Sequence, residues 1–379
     1  MEYQIKEYDS LIDLLEELDV KGVYGAQRHR AVNGYISLKA RYKDVPVSGT
    51  FELTPFCNLD CRMCYVHLNK NQLKEGERLL TVDEWKSIIK QAVDAGMMYA
   101  TLTGGECLTY PGFKEIYLYL ISLGIRPDIL TNGRLLVEEM VDFFVANPPS
   151  GLQITVYGSN EDAYESVTGH RAFHEVMDGI ARAQKAGLNI LLTITPSKYM
   201  HKDINTLLEF IHQQGIPYTI GSGMLQPRTE TGRDQEQHAL ETDEEISIKR
   251  IEKAYHELRQ STETVQQLPQ YVPSQKKNLR GLPCGGAHST FHVNWKGEIC
   301  PCIGFSESVH QPLLGGDFVQ VWKKLCNTML AYKPPKECSE CSVREYCYFC
   351  PAEKGMGKLT GTLNTRVCLK LRAYIRDKL

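Results

Sequence analysis

The chain has 379 residues, 42% of them hydrophobic, with 43 basic and 46 acidic side chains and a formal net charge of −3. That length suffices for one large domain and a smaller one, and the balanced charge excludes recognition of nucleic acid or of an anionic membrane through bulk electrostatics. No run approaches eighteen apolar residues, and the opening MEYQIKEYDS lacks the basic-then-apolar pattern of a signal peptide, so the expected location is the cytoplasm, with no membrane partner. Thirteen cysteines are present: three within eight residues near the start, nine between Cys284 and Cys368, and Cys107 alone. In a reducing compartment, metal or cluster ligation explains them better than a disulfide framework.

In chain order, residues 1–48 read as an N-terminal extension, an acidic amphipathic SLIDLLEELD followed by a polar, partly basic stretch. From Phe51 short β-branched runs alternate with longer helical patterns. Strands are predicted at 50–53, 99–103, 126–131, 152–157, 189–195 and 217–222. The clearest helix start is Thr81-Val82-Asp83-Glu84, a capping-box sequence before a periodic run that closes on Gly96. Repeated strand-helix units with right-handed crossovers predict an α/β fold, and six units instead of eight predict a partial (βα)6 barrel over 49–274.

After the sixth strand comes a polar loop containing Arg228, Glu230 and Arg233, a candidate lid or substrate contact, and then a helix around 243–260. Residues 275–379 form a C-terminal cysteine-rich unit that begins with a hairpin turning at Asn294 to Gly297. Long apolar runs are few there, so bound metal is expected to supply much of its stability.

Cys57-Asn-Leu-Asp-Cys61-Arg-Met-Cys64 follows directly on the first barrel strand. Three thiolates in one loop are informative, because structural zinc closes with four ligands while a cubane cluster held by three leaves one iron open. A zinc knuckle with a distant fourth ligand is the alternative. At the end of the second barrel strand stands Thr103-Gly104-Gly105-Glu106, where glycines permit close backbone approach and a carboxylate can accept hydrogen bonds from an ammonium group. Ligands of such sheets gather at this edge. Asn132, Thr155 and Thr195 end the next three strands and could bond ribose or carboxylate oxygens.

The cysteine spacing, followed by Tyr65, together with Gly104-Gly105-Glu106, resembles the radical S-adenosylmethionine (SAM) superfamily. The resemblance implies a [4Fe-4S] cluster on Cys57, Cys61 and Cys64 whose open iron chelates SAM. One electron then splits the sulfonium bond to give a 5′-deoxyadenosyl radical. It also implies that Tyr65 contributes to the adenine site and that Thr155 lies near the ribose. For Cys107 no functional role emerges.

The pattern Cys284-x12-Gly297-x4-Cys302, then Cys338-x2-Cys341-x5-Cys347-x2-Cys350 and finally Cys368, resembles the SPASM extension of radical enzymes, which holds two auxiliary [4Fe-4S] clusters. Carried over, Cys338, Cys341, Cys347 and Cys368 would ligate the outer cluster, and Cys284, Cys302 and Cys350 the inner one. The chain departs from that pattern by having two residues, not three, between its last two central cysteines. Cys300 could complete the inner cluster or be spare. Taken alone, the central run suits zinc as well as a cluster.

In this group the resemblance implies a peptide or protein substrate and a flavodoxin or ferredoxin as electron donor. Intramolecular thioether or carbon-carbon crosslinking of a ribosomally made peptide is the leading expectation. Formylglycine formation in a sulfatase, and oxidation or epimerisation of a small molecule, are alternatives. A zinc-stabilised binding protein without catalysis is the reading from another class. The sequence names no catalytic acid or base.

Overall fold

The computed structural model describes residues 5–200, 203–221, 231, 238–241, 243–248, 250–251, 270–273, 284–305, 309–331, 340–341, 368 and 372. Its centre is a sheet whose six parallel strands follow chain order: β2 (Ser48–Glu52), β3 (Tyr99–Thr103), β4 (Asp128–Thr131), β5 (Gly151–Val156), β6 (Ile190–Ile194) and β7 (Tyr218–Ile220). Sequential order with parallel pairing throughout is the winding of an unclosed barrel, as the six predicted strand-helix units require. Every predicted strand is present, with ends shifted by two residues or fewer.

Side chains along each strand divide between two faces. Phe51, Leu102, Ile129 and Leu152 are fully buried and in register with one another. They pack beneath the crossover helices, as Phe51 does edge-on against Trp85 of α3 (Val82–Asp94). The opposite face is polar and half-buried, carrying Thr50, Thr101, Gln153, Thr155 and Thr193, with Gln153 Nε2 donating to Thr193 Oγ1 at 2.8 Å. The predicted capping box at the start of α3 is made in both directions: Glu84 N–H donates to Thr81 Oγ1 at 3.3 Å and Thr81 N–H to Glu84 Oε2 at 2.7 Å.

Two features extend this barrel. The predicted hairpin forms from β9 (Thr290–Val293) and β10 (Glu298–Cys300), and β9 pairs parallel with β2. It therefore continues the barrel's own sheet. Gly49 makes this possible, because a Cβ there would strike the Phe291 ring and lie 2.8 Å from Met97 Sδ. The helix Phe318–Leu330 then covers Phe291 with Phe318 and Trp322.

The N-terminal segment folds as β1 (Ile5–Tyr8), α1 (Leu11–Val20) and α2 (Gly25–Lys43). It closes a small core of Tyr8, Leu14, Leu18, Val23 and Tyr35. β1 pairs parallel with β8 (Gln270–Pro273), and the segment is tied back by Trp322 Nε1–H to Asp44 O at 2.6 Å and by Tyr99 O–H to Asn33 Oδ1 at 2.8 Å. Among the described residues no helix is long and apolar enough to cross a membrane.

Candidate active site

The loop leaving β2 carries Cys57, Cys61 and Cys64 at the C-terminal edge of the sheet, with Cys61 buried and the other two half-buried. Its shape is imposed from two sides. Asp60 N–H and Arg62 N–H donate to the carbonyls of Thr168 and Val167 at 2.9 and 3.0 Å, which pins the residues flanking Cys61 to the last turn of α6 (Glu161–Thr168). On the other side Gly105 N–H donates to Thr54 O at 2.7 Å and Glu106 N–H to Phe56 O at 2.8 Å. The two loops are zipped backbone to backbone.

That zipper explains the glycines. A Cβ on Gly104 would sit 2.6 Å from Thr54 O, and one on Gly105 would strike the carbonyl of Phe56 and lie 2.6 Å from Pro55 O. In the structure these glycines admit the cysteine loop. Gly105→Ala is accordingly expected to displace that loop, at a cost of about 1–3 kcal/mol from overpacking against rigid backbone, and to lower the iron bound per chain after anaerobic reconstitution.

Glu106 is held by the chain itself. Its carboxylate is buried and accepts from Leu108 N–H at 3.1 Å, Thr131 Oγ1–H at 2.9 Å and Asn132 N–H at 2.8 Å. It thus locks the ends of β3 and β4 together. Burial raises its pKa against these donors. Asn132 extends the lock, donating from Nδ2 to Asn58 Oδ1 at 2.7 Å and to Cys57 Sγ at 3.5 Å.

The sulfurs lie in a water-poor, electronegative setting. Burial, followed by the charge of Glu106, pushes the Cys57 thiol up to about 12, so in the metal-free chain it holds its proton and must lose it to become a ligand. Leu59 N–H and His67 N–H point at Cys57 Sγ and Cys64 Sγ, at 3.4 and 3.3 Å. These donors are poised to stabilise sulfur that carries negative charge. Among the described residues no three His, Cys, Asp or Glu side chains are grouped so as to hold a metal ion.

The other predicted residues take separate places. Tyr65 is half-buried beside Cys64, Thr155 lies on the polar face of β5, and Thr195 is half-buried just past β6. Two residues on, Ser197 Oγ is fully buried and has no hydrogen-bond partner among the described residues. Cys107 is a core residue whose thiol donates to Leu130 O at 3.3 Å.

Cys284, Cys300 and Cys302 flank the hairpin at the opposite, N-terminal edge of the sheet. A Cβ on Gly286, for instance, would lie 3.4 Å from Cys284 Sγ and 3.5 Å from Pro301. Cys341 and Cys368 are described singly, whereas Cys338, Cys347, Cys350 and the loop with Arg228, Glu230 and Arg233 lie outside the described residues. Sequence reasoning missed Asn58 and Arg134, whose guanidinium donates to Asn58 O at 2.6 Å. Neither belongs to a spacing motif, so only the folded chain brings them to the cysteines.

Three cysteines carried by one loop at the C-terminal edge of a parallel α/β sheet stand where such folds bind their ligands. Residues 51–211 match the radical SAM superfamily model, so this segment of the chain carries a radical SAM domain. The chain is 26% identical over 332 residues to the AdoMet-dependent heme synthase of Methanosarcina barkeri, covering 80% of this chain and 90% of that one. It is 25% identical over 185 residues to the sporulation killing factor maturation protein SkfB of Bacillus subtilis. That match covers 47% of this chain and 44% of SkfB. Among solved structures, Streptococcus suis SuiB bound to precursor peptide SuiA superposes with a TM-score of 0.65 at 15% identity, over 93% of this chain and 88% of that one. This last likeness is one of fold.

Proposed function

We propose that the chain is a radical SAM enzyme that oxidatively modifies a ribosomally made peptide, installing an intramolecular crosslink. The observation that carries the reading is the polar, half-buried face of the sheet, which carries Thr50, Thr101, Gln153, Thr155 and Thr193, with cysteines towards each edge. A five-residue strand spans roughly 13–17 Å, a length that matches a short extended peptide segment. SkfB and peptide-bound SuiB support the substrate class.

The donor set at the upper edge suits the cofactors. Cys57, Cys61 and Cys64 supply three thiolates and leave one iron position open. The orphaned Ser197 Oγ supplies a buried polar group, which costs about 1–3 kcal/mol unless satisfied, and a ribose or carboxylate oxygen of SAM would satisfy it. When bound, the pair supplies one-electron cleavage of SAM and hydrogen abstraction from the substrate. The chain's own work is to hold the sulfurs, through Asn132, Leu59 and His67, and to keep water from the edge. Cys284, Cys300 and Cys302, with residues of the central cysteine run, are assigned to auxiliary clusters, and a reduced flavodoxin or ferredoxin to electron delivery.

The test is incubation of the reconstituted chain with SAM, reductant and each short peptide that a search of the genes flanking its own turns up. A loss of two hydrogens from the peptide by mass spectrometry is the expected result. Unmodified peptide alongside released 5′-deoxyadenosine counts against it. A second reading, radical chemistry on a small cyclic substrate such as a tetrapyrrole, draws on the 332-residue match to the heme synthase, which covers far more of both chains than the match to SkfB. Consumption of an iron tetrapyrrole in the same assay, with the peptide untouched, would favour it.

A further inference from the structure

One stretch of the chain runs against its overall charge. Between Asp19 and Asp44 there is no acidic side chain, while Lys21, Arg28, Arg30, Lys39, Arg41 and Lys43 all fall there, in a protein whose acids outnumber its bases by 46 to 43. All but Lys21 lie on α2. Lys21 pairs with Glu17 at 2.6 Å and Arg28 with Asp19, and Lys39 sits over the Tyr35 ring at 5.5 Å. Arg30 and Lys43 are exposed and form no ion pair among the described residues.

The helix presents part of this charge as a row. Arg30, Gly34, Ser37 and Arg41 follow the spacing of a single helical face, the first three exposed and Arg41 half-buried. At about 1.5 Å per residue the row is roughly 16 Å long. Small residues fill its middle, so a partner can approach the helix closely between two guanidinium groups. Tyr24 and Val20, both exposed, add apolar surface at its N-terminal end. Helix stability explains only some of these charges: Arg41 and Lys43 lie in the last turn, where cations offset the helix dipole, and Arg30 and Lys39 lie beyond its reach.

The location gives the charge a use. α2 runs along the N-terminal edge of the sheet, where Tyr99 at the start of β3 donates to Asn33 Oδ1 at 2.8 Å. Its C-terminal cap, Asp44, accepts from His288 Nδ1–H at 2.6 Å. His288 N–H in turn donates to the carbonyl of Gly285, the residue after Cys284, at 2.9 Å. The basic end of α2 is therefore one side-chain contact from the loop that leaves Cys284, at the edge that also carries Cys300 and Cys302.

We infer that α2 is the docking surface for a small acidic protein that carries single electrons, the flavodoxin or ferredoxin assigned to electron delivery above. The inference rests on that assignment and on the reading of Cys284, Cys300 and Cys302 as auxiliary-cluster ligands. Charge complementarity selects the partner, because opposed patches steer encounter and speed association without demanding a large interface. Electron-transfer contacts are among the smallest of protein interfaces, and one helix face suits that size. In the exchange the reduced carrier loses one electron and the auxiliary site gains it, with no bond or proton moved.

The experiment uses the reconstituted full chain with two alternative reductants, dithionite and purified reduced flavodoxin. Arg30→Glu/Lys43→Glu reverses two exposed, unpaired charges and is expected to keep the wild-type circular dichroism and the wild-type rate of SAM cleavage with dithionite. With flavodoxin as sole donor its rate is expected to fall about tenfold at low ionic strength, and its Kd for flavodoxin by calorimetry to rise by about the same factor. Wild-type affinity should weaken as salt is added. Lys185→Glu, a reversal at the end of the helix Phe173–Lys185, should change neither quantity.

A double variant that binds flavodoxin and accepts its electrons as the wild type does overturns the docking surface. Binding of poly-glutamate or of phosphatidylglycerol vesicles that the double variant loses, with flavodoxin affinity unmoved, overturns it in favour of an acidic peptide or a membrane. A wild type active with dithionite that neither binds nor uses flavodoxin or ferredoxin overturns the donor assignment beneath it. A wild type inactive with dithionite overturns the radical SAM reading itself, so the failures are told apart.

Discussion

Cys61→Ala is expected to abolish SAM cleavage, reducing 5′-deoxyadenosine release to the level without enzyme, while the iron-free chain remains folded. The two halves of that expectation have separate causes. Removing one sulfur from a buried loop withdraws roughly one methylene-sized group from the core, about 0.8 kcal/mol, and the backbone bonds of Asp60 and Arg62 to α6 do not depend on the side chain. On the proposed assignment, cluster assembly depends on it entirely, because Cys57, Cys61 and Cys64 supply the three thiolates and leave one iron open. Cys107 is the internal control. It is buried nearby, but its sulfur is turned to Leu130 O, so Cys107→Ala should lose a little stability and keep cleavage. The measurement is chromatographic quantitation of 5′-deoxyadenosine from reconstituted protein with dithionite. Undiminished release from Cys61→Ala would remove the three-thiolate assignment.

The barrel was legible because its signals are local. Period-two runs such as YATLT and a capping box at Thr81 and Glu84 each settle their own element, and their regular alternation dictates the winding. The N-terminal segment was less so: α2 is a 19-residue helix whose polar sequence gives it little amphipathic signature. Its folding depends on packing Tyr35 against Leu14 and Leu18 in a small core, which no single window displays. The hairpin after Cys284 shows in its own turn residues, but its parallel pairing with β2 spans some 240 residues of chain and rests on Gly49 leaving room for Phe291.

The site divides the same way. Cys57, Cys61 and Cys64 announce themselves by spacing. The roles of Gly104, Gly105 and Glu106 turn on contacts with a loop fifty residues earlier and a strand twenty-five later. Asn58 and Arg134 carry no pattern at all. A motif thus reveals that residues act together, while which partner each one touches is a tertiary fact.

Glu106 shows what that difference implies for a variant. Glu106→Ala is expected to lower the melting temperature of the iron-free chain and to weaken iron binding together. The carboxylate satisfies three buried donors, Leu108 N–H, Thr131 Oγ1–H and Asn132 N–H. Leaving each unsatisfied costs about 1–3 kcal/mol, partly relieved where water enters the vacated space. A net loss of about 3 kcal/mol corresponds to a fall of roughly 6–12 °C.

The effect on iron follows from Asn132, whose backbone the carboxylate holds and whose amide supports Asn58 and Cys57. Glu106→Gln should fall between the two, since its oxygen can still accept while its amide nitrogen faces a donor. The pH dependence has a definite sign. Burial raises the Glu106 pKa, so the folded chain keeps this proton to higher pH than the unfolded chain does. The corresponding stability is complete below the unfolded value of about 4.3 and declines as pH rises through the folded value. The gap in stability between wild type and Glu106→Ala should therefore narrow from about pH 4 towards neutrality, as measured by denaturant unfolding across that range. A constant gap would show that the carboxylate titrates alike in both states, and equal melting temperatures would remove the lock between β3 and β4 from the account of how Cys57 is held.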